Sequence, residues 1–338
     1  MPRAGVVGPG SIGRLHVKTL RSLGVPVRAL VASSPESARA HADRLQIPQA
    51  YDSVAAMAGS GEVDVVHICT PNVLHAAGAA AAIEAGCSLV CEKPLTFDLA
   101  QADDLLARVE RASARGGVCY HYRYFQGVVE AGKLLRSGAL GGVRLLCGRY
   151  LSQELLEVPA GHWLADAAVV GPARSLADVG IHWFDLTEHL TGQPVEAVLA
   201  EPAGAEQGEP LLHGAAVTLR LSGGATATVV VSQDCVGAET DEIVLEVHGS
   251  TGRLRWSLGD DGEQLSVWRT DGLPPTCKRY ATSFEEGTRR AFEGLMRDLY
   301  AGIERRTGSA PTIAEGRHGV AILDAAVKSA QSGCWAKP

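Results

Sequence analysis

Lys93 lies in the tripeptide Glu92-Lys93-Pro94, where the short apolar run "CSLVCEKP" (87–94) ends. Such a run is typical of a buried strand, and Pro94 forces the chain to leave the strand at that point. A lysine there can stabilise a hydroxyl that is losing a proton, and burial beside another positive charge lowers a lysine pKa enough for base catalysis. The alternative is a lysine at the rim of the core whose ammonium group reaches water. We predict that Lys93 is catalytic.

Asp178 and His182 provide a second candidate acid–base pair in the segment "DVGIHWFD" (178–185). Residues four apart share one helix face, so the carboxylate can orient the imidazole if the helix begins early enough. An unperturbed histidine titrates near neutral pH, which suits a general acid or base. We therefore predict that His182 transfers the proton and that Lys93 positions the hydroxyl, with exchange of the two roles as the alternative. Asp185 is expected to be structural.

A glycine-rich loop, "VVGPGSIG", follows the first apolar run and opens a helix. Gly8, Gly10 and Gly13 have the G-x-G-x-x-G spacing of a dinucleotide-binding turn, in which the helix N-terminus faces a pyrophosphate. NAD-specific sites carry an acidic residue about 20 residues further on. This chain has Ser33 and Ser34 there, with Arg39 nearby, which favours NADP over NAD. Arg39 as a solvated helix charge is the alternative.

The elements that must position these residues change character along the chain. Up to residue 123, five apolar runs alternate with amphipathic segments, which predicts a Rossmann-type, doubly wound parallel sheet. The predicted strands are 4–8, 25–33, 63–70, 87–94 and 117–123. Six later runs alternate apolar and polar residues across short turns, which predicts an α+β domain with a large, mostly antiparallel open sheet. Residues 201–210 are predicted to form a surface loop. We assign a dinucleotide-binding domain to 1–123 and a substrate-binding and oligomerisation domain to 124–338, with the last helices packing back on the first domain.

Composition narrows the class of protein further. The chain has 338 residues with 46% hydrophobic and 20% charged residues, enough for a sizeable core, and a net charge of −7 without a basic stripe. We therefore expect neither a nucleic-acid nor a membrane partner, and the N-terminus does not resemble a signal peptide. None of the eight cysteines forms a C-x-x-C pair, so we expect reduced thiols, a cytoplasmic location and no metal.

Together these segments resemble the Gfo/Idh/MocA oxidoreductases. The motifs are G-x-G-x-x-G at 8–13, T-P-N-x-x-H at 70–75, E-K-P at 92–94, Y-x-Y-R at 120–123 and D-V-G-I-H-W-F-D at 178–185, in matching order and spacing. The resemblance implies NAD(P)-dependent hydride transfer on a secondary hydroxyl or ketone of a sugar, cyclitol or nucleotide-sugar. It also implies that the second domain's sheet forms a homodimer or homotetramer. Two alternatives are a catalytically silent cofactor-binding regulator and a redox-assisted lyase or glycosidase that does not consume its cofactor.

The predicted site combines the residues above with those that the family motifs imply. The cofactor-binding residues are Gly8, Gly10, Ser11, Ile12, Gly13, Ser33, Ser34, Arg39, Thr70, Pro71, Asn72, His75, Glu92, Lys93 and Arg123. The catalytic residues are Lys93, Asp178 and His182. The substrate-binding residues are Lys93, His121, Arg123, Trp163, Arg174, Asp178 and His182. His162, beside Trp163, is a further candidate to cap the pocket.

Several positions depart from the family pattern, and they concern the substrate rather than the reaction. His121 replaces a common Asn, Gln126 replaces a common Pro, and Ala173-Arg174 replaces a common Gly-Gly. Arg174 can enter the pocket and bind an anionic or polyhydroxyl substrate, or it can be an ordinary loop cation.

Overall fold

The computed structural model describes residues 1–159, 162, 164, 166–203, 213–238, 241–305 and 308–338. It divides the chain into two compact units. The first unit contains Met1–Tyr120 and Phe292–Val320, and the second contains His121–Ala291 and Ala321–Pro338.

A six-stranded parallel sheet forms the centre of the first unit. Its strands are β1 (Ala4–Val7), β2 (Val27–Val31), β3 (Gln49–Tyr51), β4 (Val65–Ile68), β5 (Ser88–Cys91) and β6 (Gly116–Val118). They lie in the order β3-β2-β1-β4-β5-β6, so the winding direction reverses between β1 and β4. In open α/β sheets, ligands bind at the carboxyl ends of the strands beside such a reversal. The predicted Rossmann-type sheet is confirmed.

Five of the described helices surround this sheet, and three of the five begin at a polar side-chain cap. They are α1 (Ser11–Ser22), α2 (Pro35–Leu45), α3 (Val54–Gly59), α4 (His75–Glu84) and α5 (Leu99–Ala112). The side chains of Ser34, Ser53 and Asp98 accept hydrogen bonds from backbone N–H groups in the first turns of α2, α3 and α5. Buried Val, Ile, Leu and Ala side chains from strands and helices form one continuous core.

The first unit differs from the sequence prediction at two places. The prediction missed β3 and α3, because three strand residues and six helical residues are too short for a clear periodicity. It also extended the last strand to residue 123. β6 ends at Val118, which pairs with Cys91, the last residue of its neighbour β5. The chain then turns into a 3₁₀ helix over His121–Tyr124.

The second unit contains an eight-stranded sheet. Its strands are β7 (Val143–Leu151), β8 (Val195–Pro202), β9 (Gly214–Leu221), β10 (Thr226–Ser232), β11 (Glu242–Gly249), β12 (Gly252–Gly259), β13 (Gly262–Arg269) and β14 (Thr276–Ala281). The order is β14-β13-β12-β11-β7-β10-β9-β8, and all neighbours are antiparallel except β7 and β10. The predicted, mostly antiparallel sheet is confirmed.

The six alternating runs predicted in this half are all strands, and the two strands that were missed lie at the sheet edges. β8 carries Glu196 and Glu201, and β14 carries Lys278 and Arg279. Charges on edge strands oppose pairing with other chains, and they also obscure the alternation that identifies a strand.

The remaining helices are α6 (Gln126–Arg136), α7 (Glu154–Glu157), α8 (Ala167–Val170), α9 (Ile181–Thr191), α10 (Phe284–Arg305) and α11 (Ile313–Ser332). The division between the units falls within α10 and within α11. Of the predicted surface loop over 201–210, residues 201 and 202 end β8, and residues 204–210 lie outside the described part of the chain. Among the described helices, none is both long and apolar enough to cross a membrane.

Candidate active site

The glycine loop after β1 requires two of its three glycines for steric reasons. Gly8 has φ +87°, and a Cβ there would lie 2.7 Å from the carbonyl oxygen of Cys69. A Cβ on Gly13 would lie 2.0 Å from the carbonyl oxygen of Gly8, so α1 packs directly on the loop. A Cβ on Gly10 would meet no described atom within 4 Å. The loop is therefore tight at both ends and open at Gly10, which leaves room for a ligand.

The start of α1 is built to receive an anion. Gly10 is its N-cap, and among the described residues no side chain caps this end. Ser11 and Ile12 are exposed, so the N–H groups of the first turn face solvent rather than a carboxylate of the protein. These features fit the pyrophosphate of a nicotinamide dinucleotide.

The end of β2 contains the residues predicted to select the cofactor. Ser33 and Arg39 are exposed. Ser34 already accepts a hydrogen bond from the backbone N–H of Ser37 at 3.2 Å as the cap of α2. A phosphate contact by Ser34 must share its hydroxyl with that cap, so Ser33 and Arg39 are the more available of the three predicted residues.

Two loops follow neighbouring strands at the carboxyl edge of the parallel sheet, Thr70-Pro71-Asn72 after β4 and Glu92-Lys93-Pro94 after β5. His75, fully buried, joins them: its Nδ1 lies 2.8 Å from the carbonyl oxygen of Pro94, and its Nε2 lies 2.8 Å from that of Thr70. Burial lowers the pKa of His75, and the two carbonyl oxygens oppose that shift. Both ring nitrogens thus face backbone carbonyl oxygens, and a neutral ring donates to one of the two. A contact of His75 with the cofactor stays a prediction.

Thr70 supplies a polar atom that fits a ligand at this edge. Its Oγ1 is buried and makes no hydrogen bond within the described residues. A buried hydroxyl without a partner costs free energy, so its presence in a predicted cofactor loop is consistent with a bound partner.

Glu92 is almost fully buried beside the half-buried Lys93. Its Oε1 lies 2.9 Å from Nε2 of His16, and its Oε2 accepts the backbone N–H of Lys93 at 3.2 Å. The thiol of Cys119 also hydrogen-bonds to this carboxylate. Glu92 is therefore held by several donors, and its own backbone places Lys93 at the carboxyl end of β5.

In the second unit, the rings of the predicted residues His121 and His182 and of Tyr122 lie close together. The ring centroid of His182 lies 4.9 Å from that of His121 and 4.3 Å from that of Tyr122. The Tyr122 hydroxyl lies 2.7 Å from that of Tyr150, which donates to Asp241 at 2.8 Å. Burial raises the pKa of both tyrosines, so they remain neutral donors. Sequence reasoning missed Tyr122, although it lies inside the quoted Y-x-Y-R motif.

Arg123 and Asp185 form a buried ion pair. The Nε of Arg123 lies 3.1 Å and 3.0 Å from the two Asp185 oxygens, and Nη2 donates to Oδ1 at 2.6 Å. Both side chains are under a tenth exposed. Asp185 therefore holds Arg123 in place, and a contact of Arg123 with cofactor or substrate stays a prediction.

Asp178 lies in a turn of π-helix over Leu176–Gly180 that runs directly into α9. The helical segment thus begins early enough to carry both Asp178 and His182. Oδ2 of Asp178 accepts a hydrogen bond from Nε2 of Gln233 at 2.8 Å, and the same nitrogen lies 3.0 Å from Glu154. Gln233 and Glu154 lie far away in sequence, so nothing near the 178–185 motif indicated them.

Arg174 is only 3% exposed, unlike a solvated loop cation. A carboxylate oxygen of Glu154 lies 3.9 Å from Nη2, and within the described residues none of the three guanidinium nitrogens makes a hydrogen bond. Burial lowers the pKa of Arg174, while Asp178 and Glu154 oppose that shift. A buried guanidinium with so few partners is unusual in a folded protein.

Of the remaining predicted residues, Trp163 lies outside the described part of the chain, and His162 is exposed. All eight cysteines are free. In the described ranges, two groups of possible metal ligands have their ligand atoms within 4.8 Å of one another. They are His16, Glu92 and Cys119, and Cys147, Glu246 and His248. Members of both groups contact one another directly, His16 with Glu92 and His248 with Cys147 and Glu246, and the predicted absence of a metal stays a prediction.

The fold and the glycine loop define a dinucleotide-binding α/β protein, and comparison with known families gives the assignment. Residues 2–120 match the model of an oxidoreductase family with an NAD-binding Rossmann fold, and residues 128–255 match the Gfo/Idh/MocA C-terminal domain. The chain belongs to the Gfo/Idh/MocA oxidoreductase family.

Similar proteins span nearly the whole chain at low identity. A levoglucosan dehydrogenase from Pseudarthrobacter phenanthrenivorans is 25% identical over 98% of this chain and 96% of its own length. A myo-inositol 2-dehydrogenase from Thermotoga maritima is 24% identical over 97% and 96%. Among solved structures, levoglucosan dehydrogenase in complex with NADH and levoglucosan superimposes with a TM-score of 0.87, at 22% identity and with 99% and 98% coverage. This last likeness concerns the fold.

Proposed function

We propose that the protein is an NAD(P)-dependent oxidoreductase that transfers a hydride between nicotinamide and a secondary hydroxyl or ketone of a sugar, cyclitol or nucleotide-sugar. One observation carries the proposal. At the carboxyl edge of the parallel sheet, the open glycine loop after β1 and the Glu92-Lys93 turn after β5 belong to one rigid framework, tied by His75 and by the contact of Gly8 with Cys69. The dehydrogenase names of full-length relatives support the same substrate class.

The residues have distinct roles in this proposal. Nicotinamide, when bound, supplies the hydride acceptor or donor. Lys93 positions the substrate oxygen and stabilises its developing negative charge. His182 accepts the proton in oxidation and returns it in reduction, and Asp178, held by Gln233, supports it. Glu92 supports the nicotinamide end, while Thr70, Pro71 and Asn72 line the ribose side. His121 and Arg123 contact the substrate, and the protein acts in the cytoplasm.

An assay of cofactor reduction tests this function. Purified protein is incubated with NAD or NADP and a panel of sugars, sugar alcohols and inositols, and reduced nicotinamide is followed by its absorbance. We expect one chemical group of polyols to be oxidised, with the matching ketone formed in equal amount. Tight cofactor binding without reduction by any polyol would instead support a regulator.

Cofactor choice is tested by a substitution at the end of β2. The absence of an acid there leads us to expect NADP to bind at least as tightly as NAD. Ser33→Asp should weaken NADP binding by about tenfold or more through repulsion of the 2′-phosphate, and should leave NAD binding nearly unchanged. Fluorescence titration of both cofactors measures the two constants. Wild-type protein that binds NAD more than about tenfold tighter would contradict the prediction.

A homodimer or homotetramer is predicted for the sheet domain. The structure buries Ala227, Val229 and Val231 on one sheet face and exposes Val230 and Leu145 on the other. Pairing of that second face between copies would cover these two side chains. Light scattering at micromolar concentration should give a multiple of the 35.4 kDa chain mass, and the mass of a single chain would contradict the prediction.

We predict that the guanidinium group of Arg174 donates hydrogen bonds to hydroxyl groups of the substrate. The two nearby carboxylates, Asp178 and Glu154, offset its charge, so a neutral polyol suits the site better than an anion. Arg174→Ala should raise KM by about tenfold or more, since a hydrogen bond to a charged group contributes about 1.5–3 kcal/mol, and should change kcat less. The control Arg144→Ala removes an exposed arginine of β7. An unchanged KM in Arg174→Ala would contradict this role.

A further inference from the structure

Four polar side chains form a continuous buried chain beneath the Glu92-Lys93 turn, entirely within the first unit. The Tyr300 hydroxyl lies 2.9 Å from Nε2 of His67, Nδ1 of His67 lies 3.0 Å from Nδ1 of His16, and Nε2 of His16 lies 2.9 Å from Oε1 of Glu92. His16 and His67 are fully buried, and Tyr300 is 6% exposed. The family motifs named above give no role to His16, His67 or Tyr300.

The ring packing keeps these contacts in register. The His67 ring stacks on Tyr300 with centroids 5.8 Å apart and an interplanar angle of 22°. The His16 ring meets His67 and Phe292 edge-on, at 5.3 Å and 5.7 Å. Neither histidine can rotate without displacing an aromatic neighbour in a close-packed core.

The donor and acceptor properties of each atom determine the direction in which all three hydrogen bonds point. Burial lowers the pKa of His67 well below its usual value, and burial raises that of Tyr300, so both are neutral. A carboxylate only accepts, so Nε2 of His16 must carry the proton toward Glu92. When His16 carries this single proton, its Nδ1 is an acceptor, and the 3.0 Å contact then requires the proton on Nδ1 of His67. Nε2 of His67 in turn accepts from the Tyr300 hydroxyl, and every donor points toward Glu92.

We propose that Tyr300, His67 and His16 are positioning residues that fix Glu92 as an ionised acceptor and thereby fix the backbone that carries Lys93. Tyr300 and His67 determine which nitrogen of His16 is protonated, in the way that outer partners set the tautomer of a functional histidine. The predicted effect of these residues on turnover rests on the proposed function. The predicted tautomers of His16 and His67 do not depend on it.

NMR of protein labelled with ¹⁵N in the histidine rings shows which nitrogen of each ring carries the proton, and it needs no substrate. Resonances are assigned by comparing His16→Gln and His67→Gln proteins with wild type. We expect His16 protonated on Nε2 alone and His67 protonated on Nδ1 alone. A His67 protonated on Nε2 would mean that His16 carries two protons or that the chain runs the other way, and it would overturn the proposal.

Two substitutions at His67 separate positioning from packing. Gln offers an amide N–H toward His16 and an oxygen toward the Tyr300 hydroxyl, whereas Leu has a similar size and offers neither. If His67 only filled space in buried β4, Leu would serve at least as well as Gln. We expect His67→Leu to lower kcat by about tenfold or more while cofactor affinity changes little. Its melting temperature should also fall, because His16 and Tyr300 each lose a buried hydrogen-bond partner. His67→Gln should restore most of kcat.

A failure of the positioning proposal and a failure of the proposed function give different results in these experiments. Equal kcat values for His67→Leu and wild type, or equal losses in His67→Leu and His67→Gln, would overturn the proposal even where wild-type protein is active. If no polyol is oxidised by wild-type protein, the proposed function fails, and the ring tautomers still decide whether this chain of hydrogen bonds exists.

Discussion

Lys93→Met is expected to abolish measurable turnover while cofactor affinity stays within a few-fold of wild type. The substitution keeps a long, unbranched side chain and removes the only charge that it carries. In the proposed mechanism that charge stabilises the substrate oxygen as it loses its proton. Loss of such electrostatic stabilisation costs about 10²–10³ in kcat, and lost positioning of the hydroxyl adds to it. Steady-state kinetics and fluorescence titration of the cofactor give the two quantities.

The control for this substitution is Lys133→Met on α6, which removes an exposed ammonium group 3.7 Å from Glu130. It should leave kcat and cofactor affinity unchanged, because exposed ion pairs contribute little. A Lys93→Met protein with more than about a tenth of wild-type kcat would show that Lys93 is a rim lysine, the alternative left open by the sequence.

His182→Asn is expected to slow turnover by about 10²–10⁴, the usual range for loss of a general base. Oxidation needs the unprotonated imidazole, so kcat/KM should rise with pH through the pKa of His182 in wild-type protein. The variant should lack that limb of the profile. The pH dependence of kcat/KM between weakly acid and weakly alkaline solution is the measurement.

The matched control is His213→Asn, which removes a histidine that is more than half exposed on the second unit. Its rate and pH profile should equal those of wild type. If His182→Asn keeps both its rate and the near-neutral limb, His182 is not the base, and Lys93 takes over proton transfer.

How much of the fold followed from the sequence depended on the length and periodicity of each element. The long apolar runs "VDVVHICT" and "CSLVCEKP" predicted parallel strands because both faces are covered, and the structure buries all four residues of β4. β3 and the edge strands β8 and β14 were missed, because three residues or a charged edge carry no clear alternation. β6 ends where its partner ends, a tertiary effect that its own residues do not encode.

The candidate site divides in the same way. The motif residues Gly8, Glu92, Lys93 and His182 were found because their types and spacing carry chemistry. His16, His67 and Tyr300 were not found, since their relation to Glu92 arises only when distant segments pack together. One signal was available: His67 is a polar residue inside an apolar strand, and a buried polar group needs a partner. Asp185 was expected to be structural, but its partner Arg123 could not be identified from the sequence, because the two residues meet only when distant segments pack together.

Deuterium transfer tests the central claim most directly. A polyol active in the panel is labelled with deuterium at the reacting carbon and incubated with oxidised cofactor and wild-type protein. Mass spectrometry then measures the label in the nicotinamide ring. Direct hydride transfer predicts one deuterium in each reduced cofactor and one ketone formed for each. Conversion of the polyol without net formation of reduced cofactor would contradict the account and support a lyase that recycles its cofactor.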